Sequence, residues 1–133
     1  MTADQTNEPT VDGPIDSSTI DRLLESVGGD ESFLDELTEA YLADAPVHLA
    51  AIRRALDAGS ADELVRPAHT LKSSSATVGA LILSGYAREL ELDARGGSVA
   101  GGDERLAAAE AEFGRATQEL GELRTARWRT TKG

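Results

Sequence analysis

The stretch Ala68–Ala80 reads AHTLKSSSATVGA, and it is the second half of a helix that closes on a glycine. At roughly 100° per residue, Leu64, Pro67, Ala68, Leu71, Ser75 and Val78 fall on one side, the expected core face. His69 projects about 150° from the centre of that face. A packing histidine would sit on the Leu64/Leu71 stripe, and this one does not. Val65, Arg66, Lys72, Ser73 and Ala76 surround it. Lys72 and Ser73 are its i+3 and i+4 neighbours, so their side chains reach whatever the imidazole carries. Ser73, Ser74 and Ala76 are small and keep the surface beside the ring low. Gly79 permits the turn into the next helix.

Upstream, Ser60-Ala61-Asp62-Glu63 fits a capping box that opens this helix. Pro67 lies inside it and predicts a bend just before the histidine. A preceding helix starts after Asp30, with Phe33, Leu34, Leu37, Tyr41, Ala45, Ile52 and Leu56 as its apolar stripe and Gly59 as its end. Pro46 predicts a kink or a break into two coaxial pieces. A first short helix begins at an N-cap Ser17 or Ser18, carries Ile20, Leu23, Leu24 and Val27, and stops at Gly28-Gly29.

Downstream, Leu83, Tyr86, Ala87, Leu90 and Ala94 line a helix that ends at Gly96-Gly97. Ser98 to Gly102 is a flexible connection. Asp103 is placed to cap a last helix with Leu106, Ala109, Phe113, Ala116, Leu120 and Leu123 at coiled-coil-like spacing. Arg127, Arg129 and Lys132 put cations at the negative end of its dipole. Long amphipathic helices with short connections predict an all-α fold: an antiparallel four-helix bundle with a short N-terminal helix packed across one end. Residues 1–14 are expected to be a disordered tail, 15–128 the bundle domain and 129–133 a flexible C-terminal tail.

The whole chain sets limits on function. Its 133 residues suit one domain. Twenty-four Asp and Glu against 13 Lys and Arg give a net charge of −11, which argues against nucleic acid as the main ligand. There is no cysteine, hence no disulfide framework, thiol catalysis or cysteine-based metal site. No apolar run approaches membrane-spanning length and the N-terminus has no signal-peptide pattern, so a cytoplasmic location is expected. His48 falls inside the Leu37/Tyr41/Ile52 stripe, where a partly buried packing histidine is expected. No metal-ligand spacing and no glycine-rich phosphate loop occurs, so no metal site and no autonomous enzyme is expected.

AHTLKSSSATVGA resembles the signature of the histidine-containing phosphotransfer family, approximately H-x-L-K-G-S-[SA]-x-x-x-G-A. His69, Leu71, Lys72, Ser74, Gly79 and Ala80 match it, and Ser73 replaces the usual glycine. The resemblance runs on through YARELELDARGG and back through FLDELTEAYLADAPVHLAAIRRALDAG, covering about residues 15 to 125. It implies a phosphocarrier without catalytic activity of its own. His69 would be phosphorylated and Lys72 would neutralise the phosphoryl group; Ser73, where this chain departs from the family, is still small and has a hydroxyl able to donate to a phosphoryl oxygen. The implied partners are response-regulator receiver domains, whose aspartate exchanges the phosphoryl group, and a hybrid histidine kinase. No cofactor is implied on this chain; magnesium would belong to the receiver.

Unprotonated imidazole has the lone pair needed for attack, and a lysine beside it discourages a second positive charge. Val65 and Arg66, with Ser73 and Ala76, are the candidate docking surface. A monomer is expected. The competing readings are a non-phosphorylated helical adaptor of the same fold and a phospho-accepting segment of a chemotaxis-type kinase.

Overall fold

The computed structural model describes residues 13–132, with side chains through residue 124. The expected tail is therefore largely outside the described residues, as are the side chains of Arg127, Arg129 and Lys132. Five helices follow in order: α1 (Ser17–Ser26), α2 (Glu31–Asp57), α3 (Ala61–Thr77), α4 (Leu81–Arg95) and α5 (Gly102–Lys132). No strand occurs among the described residues.

The connections at 58–60, 78–80 and 96–101 are too short for anything but reversal, so successive helices run antiparallel. α3 packs on α2 and α4, and α5 closes the ring against α4 and α2. Leu34, Ile52, Leu64, Leu71, Leu83, Leu90 and Leu106 are fully buried between them. The apolar stripes of α3, α4 and α5 lie where their spacing puts them. On α2 the stripe is rotated slightly: Phe33 is exposed, whereas Thr38, Leu49 and Ala55 are buried.

One polar tie crosses this core. The Tyr41 hydroxyl lies 2.8 Å from Ser75 Oγ, joining α2 to α3. Burial pushes the Tyr41 phenol up to about 12 despite that bond.

α1 crosses one end of the bundle. Its N-cap is Asp16, not Ser17 or Ser18: the carboxylate accepts from the Thr19 backbone N–H and from the hydroxyls of Ser18 and Thr19. Asp and Ser cap about equally well, and a carboxylate adds a favourable charge at the positive end of the helix dipole. These bonds lower the Asp16 pKa, those from Thr19 and Ser18 outweighing burial. The Asp16 backbone N–H also donates to the Gly79 carbonyl at 2.7 Å, pinning the lid to the α3–α4 turn. Gly79 has φ +84°, and a Cβ there would lie 2.9 Å from the Asp16 carbonyl oxygen. Both facts call for glycine.

Both helix-internal prolines are carried without a break. α2 runs as one helix through exposed Pro46 and α3 through half-buried Pro67, so of the kink or break expected at Pro46 the break does not occur. Each proline removes one N–H. Buried residues on both sides, Tyr41 and Leu49 in α2 and Leu64 and Leu71 in α3, hold the helix across it. Asp30 and Ser60 cap α2 and α3 as their positions predict. Asp103 does not cap α5. The helix begins one residue earlier, and the Asp103 carboxylate accepts from Arg53 of α2 at 2.9 Å. α5 continues as helix to Lys132, through positions 129–132 where a tail is expected.

Candidate functional site

Leu64, Ala68 and Leu71 turn one face of α3 into the core, which leaves His69 on the outer surface with its side chain 53% exposed. α3 and α4 are joined by a three-residue turn at 78–80, so α4 runs back beside that surface. Ser84 of α4 donates to the Lys72 carbonyl at 2.8 Å, fixing the two helices side by side next to the histidine.

This pairing brings in a residue the motif does not contain. Glu91 of α4 has its side chain only 5% exposed, yet it is ionic. Its Oε2 lies 3.0 Å from His69 Nδ1, and its Oε1 lies 2.8 Å from Lys72 Nζ. The Lys72 contact is an ion pair off the hydrogen-bond direction, so Oε1 has no aligned donor. Arg95, one turn along α4, meets Oε2 through Nε at 2.8 Å and Nη2 at 2.7 Å. Burial alone would raise the Glu91 pKa. The Lys72 ammonium at 2.8 Å and the hydrogen bonds from Arg95 and His69 outweigh it and bring the carboxyl down to about 2. Glu91 is therefore a carboxylate at any ordinary pH.

An ionised carboxylate only accepts, so His69 Nδ1 carries the proton in this bond. Nε2 then holds the ring's lone pair. Among the described residues nothing bonds it.

The other sequence-predicted residues divide between two faces of α3. Val65 is half-buried, and Arg66, Ser73 and Ala76 are exposed beside His69. Lys72 is 31% exposed and turned onto Glu91, so it is the ring's neighbour through a shared carboxylate and not a free cation. Ser74 does not flank the ring. Five residues on, it has swung to the α2 side, where its hydroxyl donates to the Leu71 carbonyl and it lines a groove of about 240 Å³ with Leu37, Tyr41 and His48. His48 is half-buried there, on the opposite side of α3 from the site.

Glu91 had a signal in the sequence. It falls four residues after Ala87 and three before Ala94, on the apolar stripe of α4. A carboxylate on a buried stripe requires cationic partners.

Among the described residues, no three His, Cys, Asp or Glu side chains gather as metal ligands, and no helix is long and apolar enough to cross a membrane. No curated protein matches the chain. Among solved structures, it resembles the crystal structure of histidine-containing phosphotransfer protein B (HptB) from Pseudomonas aeruginosa PAO1, with TM-score 0.77 and 28% identity over 85% of this chain and 96% of that one. The family model of the Hpt domain matches residues 36–126, the span that carries most of α2, all of α3 and α4 and most of α5, with His69 inside it. The chain belongs to the Hpt domain family.

Proposed function

We propose that this protein is a phosphorelay carrier in which His69 Nε2 accepts a phosphoryl group from the aspartate of a receiver domain and returns it to such an aspartate. The observation that carries the reading is the His69–Glu91 bond. It holds the proton on Nδ1 and leaves the lone pair on Nε2, on a ring half open to solvent.

The transfer balances without moving a proton. The Nε2 lone pair forms the N–P bond, and the P–O bond to the receiver's aspartate breaks with its electrons going to that carboxylate. The ring keeps its Nδ1 proton and gains positive charge. The Nδ1–H···Glu91 bond strengthens as that charge develops, which is differential stabilisation of the product side. Glu91 does not take the proton, because its own affinity for one is far too low. Lys72 offsets the charge of the phosphoryl oxygens. At ~4 Å and a surface dielectric the bare attraction is a few kcal/mol, and the net value is smaller because both groups are wet. A carrier needs a modest value of this kind, since the group must leave again.

Val65, Arg66, Ser73 and Ala76 frame the approach and are the proposed docking surface for the receiver. The chemistry on the aspartate side, with its magnesium, belongs to the partner. This chain's part is to present one nucleophilic nitrogen in a fixed tautomer.

The test is incubation of wild type and His69→Gln with a phosphorylated receiver domain. Acid-labile label on wild type alone supports the carrier. Equal label on both proteins, or none on either across the receivers of the same cell, rejects it in favour of an adaptor.

A further inference from the structure

Glu91 binds three cationic or protonated groups, and they are not equivalent. Arg95 reaches Oε2 through two nitrogens at 2.7 and 2.8 Å, from the same helix. Lys72 makes a single, misaligned contact to Oε1 from the neighbouring helix. Arg95 is over half exposed, shares Oε2 with His69 Nδ1, and has no other ion pair or hydrogen bond among the described residues.

We propose that Arg95 is a positioning residue that makes Lys72 exchangeable: Lys72 rests on Glu91 while His69 is bare and moves to the phosphoryl group once Nε2 carries it, with Arg95 keeping the buried carboxylate paired throughout. This rests on the carrier reading above and assigns how its counter-ion is delivered. The physical reason is the cost of an unpaired buried carboxylate. If Lys72 were the sole cation on Glu91, leaving it would strand a charge whose side chain is 5% exposed. With Arg95 in place that cost is removed, and the flexible lysine stem needs only rotations about single bonds to move from one anion to the other. The single-nitrogen contact at Oε1 is the one given up; the two-nitrogen contact of Arg95 at Oε2 stays.

The phosphoryl group's own titration reports whether the ammonium has arrived. A cation beside it favours the dianion and lowers the midpoint. The full-length protein is phosphorylated with phosphoramidate, in which the P–N bond to ammonia breaks as the bond to Nε2 forms. The midpoint is then read by 31P NMR in wild type, Lys72→Gln, Arg95→Gln and the double variant. The charged groups paired at the site are Lys72, Glu91 and Arg95; Arg66 lies one turn before His69 on α3 and Arg88 one turn before Glu91 on α4, and both are unchanged in all four proteins.

The expected result is that Lys72→Gln raises the midpoint by about half a pH unit in the wild-type background and leaves it unmoved in the Arg95→Gln background. Arg95→Lys is expected to restore the Lys72 effect, which a loss of folding would not do. An equal Lys72 effect with and without Arg95 overturns the exchange while leaving the carrier reading intact. Failure of wild type to take the group on His69 overturns both.

Discussion

His69 and Glu91 are 22 residues apart in the chain, on different helices, yet the imidazole Nδ1 and the carboxylate Oε2 meet at 3.0 Å. The bond pairs a half-exposed ring with a buried anion. It gives the histidine a defined tautomer before any partner arrives, which an isolated surface imidazole lacks.

Replacing Glu91 by Gln keeps a hydrogen-bond acceptor but removes its charge. The bond to a ring that becomes cationic during transfer then loses its charge assistance, worth about 1–2 kcal/mol. Phosphoryl acceptance by Glu91→Gln is expected to slow about tenfold, with His69 still the only labelled residue. Single-turnover transfer from a phosphorylated receiver measures this.

Glu91 also ties stability to acid. Its folded-state pKa of about 2 is depressed below the ordinary value of 4.5, so its contribution is fully present above about 4.5 and is lost as pH falls towards about 2. The depression corresponds to about 3 kcal/mol as an order of magnitude. Unfolding of wild type by urea should therefore lose stability across that window. Glu91→Gln should be flatter there, so the gap between the two proteins narrows as pH falls.

Gly79 and Gly59 separate backbone conformation from space. Both have positive φ, at +84° and +65°. A Cβ at Gly59 meets nothing within 4 Å, whereas at Gly79 it meets the Asp16 carbonyl at 2.9 Å. Gly59→Ala should cost about 1 kcal/mol from the left-handed backbone alone. Gly79→Ala should cost about 2–3 kcal/mol because it also pushes the lid away from the α3–α4 turn. Thermal unfolding of the two variants gives the comparison.

The Tyr41–Ser75 tie should show the asymmetry of buried hydrogen bonds. Ser75→Ala strands a phenol in the core and should cost about 2 kcal/mol. Tyr41→Phe leaves a serine hydroxyl that can turn to the carbonyl one helical turn back, and should cost about 1 kcal/mol. The double variant should cost less than the sum, because neither stranded group remains. Urea unfolding of the three variants and wild type measures the cycle.

Apolar period made the helices and most of the core legible in the sequence. Leu64, Ala68, Leu71, Ser75 and Val78 are all buried, and the same period put His69 outside. What it left open depends on contacts between helices. The period of α3 places Lys72 near His69 but carries no record of Glu91, which reaches both from α4. Asp-Ser-Ser at 16–18 offers three capping side chains in a row, and the choice of Asp16 follows from its backbone bond to Gly79, a contact across the end of the bundle. The continuity of α2 is decided in the same way. Local chemistry opposes a helix at Pro46, and the buried residues on either side of it outweigh that opposition.

The most direct measurement is long-range 1H–15N correlation NMR on the His69 ring, before and after phosphorylation with phosphoramidate. The expected result is a proton on Nδ1 in the bare protein and the 31P coupling on Nε2 in the phosphorylated one. A proton on Nε2 with phosphorus on Nδ1, or phosphorus on no atom of His69, would contradict it.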